Sequence, residues 1–435
     1  MKKESVALRI ILVGCLIVLL LIPLWMIQFL ITERQVYRNE AVREISKSWA
    51  GPQTIAGPLL TLVTNHEHIS KDGAKSFSKK RTFYLPENLS VEANVIPEKR
   101  YRGIYSAIVY KTDLIIKGNF DLLKLKEKLN DPNLAESYLS INIDDSKGIQ
   151  QNVTLKWDDV IRKISPGLKN KNIFINGIHS EITINKEKAV SSFELNLTLN
   201  GVDDLNFVPM GKNTDVSVSS TWSNPGFVGN FLPAKREISE KGFAASWSVN
   251  HFNREFPQEW DNQHYDVFKD KFGVKFVIPA DEYQQTMRSS KYGLLIIILT
   301  FVSFFLVEIF SGKAIHPIQY LLIGLALIIF YSMLLALSEY ILFQYSYLIA
   351  GSLVIGLITL YTKSIYKNRN IVLSISAMLI SFYGFVYVLL QLQDYSLLLG
   401  NIALFLILAA IMFFTRKINW FDVLKSKSSE SRAHP

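Results

Sequence analysis

The chain of 435 residues has a single cysteine, Cys15, and it lies inside an apolar run. That excludes any disulfide within the chain and any cysteine-based metal site. The familiar catalytic signatures are missing as well. No G-x-x-x-x-G-K-[ST] phosphate loop, G-x-G-x-x-G turn, H-E-x-x-H helix or G-x-S-x-G elbow occurs. A nucleotide hydrolase, a zinc protease and an ordinary serine hydrolase therefore have no support. Ser76-Phe77-Ser78-Lys79 spells S-x-x-K, but the S-D-N and K-T-G partners of a penicillin-binding site are absent, and the tetrad reads as a charged loop before a strand. His66 and His68 would share one side of a strand. Two ligands are too few for a closed metal site, and an exposed loop is the better reading. No catalytic residue, metal or cofactor is expected.

Positive charge is missing from two short turns. Residues 339–340 and 391–395 hold no Lys or Arg, whereas 1–9, 312–317, 362–370 and 416–435 together carry twelve against three acidic residues. The interval 32–292 is close to neutral, so it offers no concentrated basic face of the kind nucleic acid requires. No nucleic-acid partner is expected.

What the chain has in abundance is long apolar runs. Five lie at 293–311, 318–338, 341–361, 371–390 and 396–415, and a sixth stands alone at 10–31. A helix rises about 1.5 Å per residue, so ~20 residues cross a ~30 Å hydrocarbon layer. Each run has that length. The first is too long for a signal peptide and lacks a small-x-small cleavage site, which makes it an uncleaved anchor, with Pro23 a candidate kink. Positive residues are retained on the cytoplasmic side of short loops. That places both termini inside, residues 32–292 outside, and the basic tail 416–435 against anionic lipid.

Between the first and second spans the pattern changes. Val36, Tyr37, Ala41, Val42, Ile45 and Trp49 continue at helical spacing as a stalk, ended by GPQTIAGP (51–58). From 58 to 292 the period is two: Phe193, Leu195, Leu197 and Leu199 alternate with polar residues, as do Phe243, Ala245, Trp247 and Val249. Val216, Val218 and Trp222, and then Val274, Phe276 and Ile278, repeat the pattern. Further strands are expected at 58–65, 80–85, 89–96, 101–110, 112–119, 138–144 and 180–185, with short helices at 121–130 (Asp121 as N-cap) and 157–164. The fold class is α+β: six transmembrane helices with a large antiparallel, sandwich-like extracytoplasmic domain (58–292) inserted between the first two.

Few residues stand out as functional. Glu308 sits three residues before the end of its span, where an ionisable group is costly unless paired or wetted. Pairing with Lys313 or His316, or reaching the interface, is the bland reading; proton or substrate handling is the sharper one. Glu339 and Asp394 fall at the opposite face. In the soluble domain FLPAKRE (231–237) reads as a surface loop with Phe231 and Leu232 beside Lys235, Arg236 and Glu237, suited to a protein or anionic partner. The competing reading puts Phe231 and Leu232 in the core. Gly324, Gly351, Ser352 and Gly356 offer small surfaces for helix contact.

Several longer stretches carry a resemblance. GPQTIAGPLL (51–60), GFVGNFLPAKREISEKGFAASW (226–247), PADEYQQTMRSSKYGLL (279–295), HPIQYLLIGLALIIFYSMLLALSE (316–339) and YSLLLGNIALFLILAAIMFFTRKINW (395–420) resemble the CreD family of bacterial cell-envelope integrity inner-membrane proteins. The resemblance runs from the first span to about residue 420 and implies an envelope role linked to colicin tolerance and the β-lactam response. It implies no enzymatic activity and carries over no site residues. The expected function is contact: the outer domain binds an envelope protein or a cell-wall component. The alternative is a transporter or lipid-handling device built on the six helices, with Gly351-Ser352 and Gly384 as weak candidate sites.

Overall fold

The computed structural model describes residues 6–69, 75–150, 153–278, 282–392 and 396–416. Asp394, Ser76, the His68 side chain and the tail beyond Arg416 lie wholly or partly outside that description. The chain divides into two compact units, a helical one (Met1–Tyr37 with Ala280–Pro435) and a β-rich one (Arg38–Pro279).

The helices follow the apolar runs. α1 (Val6–Trp49) is continuous for 44 residues and passes through Pro23. α2 (Lys126–Leu129) is a single turn in the β unit. α3 (Glu282–Lys291) leads through Tyr292 into α4 (Gly293–Ser311). Then come α5 (Pro317–Ser338), α6 (Phe343–Ile365), α7 (Arg369–Gln391) and α8 (Ser396–Thr415). Among the described residues five helices are long and apolar enough to cross a membrane; they begin at Leu8, Glu282, Pro317, Phe343 and Arg369. The run 396–415 is helical too, as α8, but it is not one of those five.

Packing in the helical unit selects one face of each helix. On α5 the side chains of Tyr320, Ile323, Leu327, Phe330, Tyr331 and Leu334 recur every three or four residues and are buried, while Leu322, Leu325 and Ile329 between them stay exposed. Leucine left outside at that density is stable where lipid is the solvent. α5 packs on α4 and α6, and α7 on α6 and α4. Gly324 does serve helix contact: a Cβ there would lie 2.2 Å from Leu20 of α1. Gly356 does not, since nothing comes within 4 Å of it.

In the β unit the first strands are β1 (Gln53–Ile69), β2 (Lys75–Tyr84), β3 (Asn88–Arg102), β4 (Tyr105–Asp121), β5 (Leu134–Ile143) and β6 (Thr154–Trp157). β7 (Val160–Arg162), β8 (Ser165–Pro166), β9 (Gly177–Glu181), β10 (Val190–Val202), β11 (Asp204–Phe207) and β12 (Asn213–Ser220) follow. β13 (Pro225–Gly229), β14 (Lys235–Ser239), β15 (Gly242–Asn250), β16 (Glu259–Asp261) and β17 (Phe272–Phe276) complete the set. They form two sheets. The nine-stranded one runs β13-β17-β11-β1-β5-β9-β8, with β2 also paired to β1 and β16 to β2; the eight-stranded one runs β14-β15-β12-β3-β4-β10-β6-β7. Aromatic side chains join them face to face. Trp247 of β15 stacks against Phe272 of β17 at 5.6 Å between ring centroids, and Tyr110 of β4 against Phe276 at 5.3 Å. That is a sandwich whose inner faces supply one continuous core.

Several expectations need correction. The sheets are not wholly antiparallel: β1 pairs β11 in parallel and β12 pairs β3 in parallel. The segment 51–58 ends the stalk helix as expected, α1 stopping at Trp49, but only its first Gly-Pro pair interrupts regular structure: β1 begins at Gln53 and carries the cis Gly57-Pro58 bond at a bulge in its pairing with β5. Residues 112–119 are no separate strand but the second half of β4, whose hairpin with β3 turns at Gly103-Ile104. The helix expected over 121–130 is reduced to the single turn α2 at its far end. Asp121 caps a tight turn by accepting from the Leu123 amide (3.0 Å), Leu122 and Leu125 are buried as turn residues, and Leu129 is buried in α2. Residues 157–164 are not helical: Asp158 and Asp159 take φ of 50° and 65°, closing a two-residue β6–β7 hairpin of the type that needs positive φ at both positions. Residues 66–69 and 76–79, expected in loops, belong to β1 and β2 and pair with each other. At the stalk, Val42, Ile45 and Trp49 pack on Ala107, Val109 and Val202, with the Arg100 guanidinium 4.1 Å above the Trp49 ring.

Candidate functional sites

Strand register builds the more open of two candidate sites. On the outward face of the eight-stranded sheet, one row across neighbouring strands reads Lys235, Ser246, Ser217, Glu92, Ile115. The next outward row reads Glu237, Ala244, Ser219, Asn94, Asp113. The two middle strands thus offer only serine and alanine, while long charged side chains stand on β14 to one side and on β3 and β4 to the other. Strands lie about 4.8 Å apart, so the β14 and β3 walls are roughly 14 Å from each other. The result is a groove of about 560 Å³ with small side chains for its floor.

Asp113 accepts from the Thr198 hydroxyl (2.6 Å), but the other charges are uncommitted. Lys235, Arg236, Glu237 and Glu92 make no ion pair among the described residues. Another cleft of the β unit, about 650 Å³ near Glu136, contrasts with it. There Lys169 bridges Glu136 (3.0 Å) and Glu181 (2.5 Å); hydrogen bonding to them pushes the Lys169 ammonium up, and hydrogen bonding to Lys169 holds the Glu136 carboxyl below its usual range. That cleft is closed by its own chemistry, and the β14 groove is not.

The residues expected in a surface loop at 231–237 separate. Phe231 is half-buried, edge-on to Phe272 at 5.7 Å, and its carbonyl accepts from the Trp247 indole (3.1 Å). Leu232, next to it, is 74% exposed. Lys235, Arg236 and Glu237 lie not in a loop but on the edge strand β14, paired to β15. The aromatic anchor and the charged rim are therefore consecutive in sequence but differently placed.

The second site lies in the helical unit. Glu308 on α4 is 6% exposed and forms an ion pair with Arg9 on α1, and the Tyr320 hydroxyl of α5 donates to it at 3.1 Å. A cavity of about 20 Å³ lies against the three. Neither Lys313 nor His316, the partners weighed from sequence, meets it. Lys313 donates to the Ile365 carbonyl, and His316 caps α5: its ring accepts from the Ile318 amide (3.3 Å) while its own amide donates to the Gln319 side chain (2.9 Å). Glu339 accepts from Tyr283 at 3.2 Å and lies 3.8 Å from Arg34. A buried carboxylate held by a guanidinium and a phenol is satisfied and geometrically fixed.

Arg254 was not legible as notable. It is buried, donates to the carbonyls of Phe256 and Pro257 and to the Gln258 side chain, and burial pushes its guanidinium down to about 10, against the favourable charge of Asp270. It stays charged at neutral pH and fixes a turn. His66 hydrogen-bonds Thr64 (3.2 Å), and no cluster of three or more metal-ligating side chains occurs among the described residues.

Comparison with known proteins places this architecture. A family model described as "Inner membrane protein CreD" matches residues 5–421. Inner membrane protein CreD of Escherichia coli (strain K12) is 35% identical over 427 residues, covering 95% of this chain and 94% of the relative. The match takes in the helical unit, both sheets and the 231–237 segment, and with multi-pass apolar helices it makes this chain an inner membrane protein belonging to the CreD family.

Proposed function

We propose that this chain is a non-enzymatic cell-envelope integrity protein with six spans, both termini in the cytoplasm and its β unit outside, where it contacts an envelope protein or cell-wall component. The observation that carries the contact reading is the 560 Å³ groove with its uncommitted Lys235, Arg236, Glu237 and Glu92. Charged side chains that make no ion pair among the described residues, set around a floor of small residues, suit an extended polar partner, whose backbone approaches the sheet closely while its charges meet the rims. The orientation is supported by the short connections and ends: 1–9, 312–317, 362–370 and 416–435 carry Lys and Arg, while the turns 339–340 and 391–395 carry none. A transport role would rest on Glu308, and its carboxylate is already occupied by Arg9 and Tyr320.

Photo-crosslinking in the full-length chain tests the reading. A reactive residue placed at Ser219 or Leu232 is expected to capture a discrete envelope adduct that Lys235→Glu with Arg236→Glu abolishes. Equal capture from Lys171, exposed elsewhere on the unit, would sink the assignment of the groove. Orientation is read separately: a cysteine at Lys171 should react with an impermeant maleimide in intact spheroplasts, and labelling only after lysis would invert the topology.

A further inference from the structure

At one end of the helical unit the α4–α5 turn and the α6–α7 turn enclose a cleft of about 670 Å³. We propose that this cleft binds the phosphate-bearing headgroup of an anionic phospholipid. Its polar wall includes Lys313, Lys367, Asn368 and Asn370, and Arg369 adjoins them in sequence. The Lys313 ammonium is fixed there by donating to the Ile365 carbonyl and by lying 5.7 Å from the centroid of the Tyr366 ring.

The cleft is short of negative charge in three independent ways. Among the described residues no acidic one lines it. Lys367 and Arg369 make no ion pair among the described residues, and the carboxylate of Glu308 on α4 is taken by Arg9. The third is the N-terminus of α7, a 23-residue helix with no acidic residue in its first turn. Asn368 caps it by accepting from the Asn370 amide (3.0 Å), while the neighbouring amides and the helix dipole present positive charge beside two cations. Such crowding is unfavourable alone and is relieved by an anion. Tyr366 adds a donor: it is 3% exposed, and its hydroxyl, beside Ser311, has no well-formed hydrogen bond among the described residues.

Size and polarity select the class of anion. A free phosphate would fill a small part of this volume. The remaining wall is apolar, made by Val307, Phe310 and Ile371, with Phe310 exposed. A cationic end continuing into a hydrocarbon-facing end matches a headgroup followed by the start of its acyl chain. The inference holds whichever side of the membrane this end occupies.

The test uses the full-length chain in neutral detergent, with lipid retention followed by native mass spectrometry. Short-chain phosphatidylglycerol should bind and phosphatidylcholine should not. Lys367→Gln and Arg369→Gln should each weaken phosphatidylglycerol about fivefold, and together about 25-fold, from the attraction of one near-surface cation apiece. Lys363→Gln, an exposed charge outside the cleft, should change nothing, which separates a site from a general field. A folded double variant retaining wild-type affinity overturns the proposal. Complete displacement of the lipid by inorganic phosphate also overturns it, by making the cleft a free-anion site.

Discussion

Removing one member of the Arg9–Glu308 pair should cost an amount that depends on which member is removed. Breaking a buried ion pair from one side costs about 3–5 kcal/mol, chiefly because the other charge is left behind. The two charges differ in what solvent does for them afterwards. Glu308 is 6% exposed and Arg9 26%. Arg9→Met strands a carboxylate whose remaining partner is the Tyr320 hydroxyl at 3.1 Å, so its cost sits near the upper end, about 4 kcal/mol. Glu308→Leu strands a guanidinium one quarter in solvent at the start of α1, and screening brings the cost to about 2 kcal/mol. Replacing both with apolar residues leaves no stranded charge, so Arg9→Met with Glu308→Leu should lie within about 1 kcal/mol of wild type. Reversible unfolding of the full-length chain in mixed micelles, read as a mutant cycle, gives these numbers. A double variant weaker than either single, or Arg9→Met no weaker than Glu308→Leu, would refute the burial argument and with it the seating of α1 on α4.

Three further outcomes are expected in the β unit. Gly118→Ala puts a Cβ 2.2 Å from the Asn88 carbonyl and 2.6 Å from Phe193, a clash with backbone that should cost about 2–3 kcal/mol in chemical denaturation. Trp247→Ala removes a buried ring packed against Phe272 and edge-on to Phe227, and the donor to the Phe231 carbonyl. It should cost about 3–5 kcal/mol and open the 230–234 turn to protease. Asp203→Asn should raise the melting temperature at pH 7. Burial, only partly offset by Lys275 and Arg38, pushes the Asp203 carboxyl above its ordinary 3.8. The wild-type contribution is therefore complete below that ordinary value and is lost as pH rises through the folded one. The gain in the variant should vanish by about pH 4, and a gain that persists there would mean the charge is not its cause.

Much of the architecture was legible locally. The five helices long enough to cross a membrane lie over apolar runs identified by length, and β10, β12 and β15 lie over alternating stretches, because both signals are carried by adjacent residues. Where two local signals competed, the pattern misled. Leu122-Leu123-Lys124-Leu125 has helical spacing, yet Leu122 and Leu125 are buried in turns after β4 while Leu123 is exposed. The Asp158-Asp159 pair looked like helix surface because a hairpin turn made of two Asp at positive φ carries no glycine to mark it. The S-x-x-K tetrad and His66 looked like loop because polar residues on a long two-stranded extension need no buried face.

Hydropathy and period by themselves determined which segments leave water and which alternate across a sheet. These properties depend on each residue and its nearest neighbours. The tertiary structure alone decided that Glu308 answers to Arg9, 299 residues earlier, rather than to Lys313 nearby. It alone set Lys235 and Glu237 opposite Glu92 and Asp113 across a serine and alanine floor, and brought Lys313 to the turn containing Lys367. The physical reason is that such partners are chosen by where the chain returns in space. That return is fixed by the burial of whole faces, and no window along the sequence contains it.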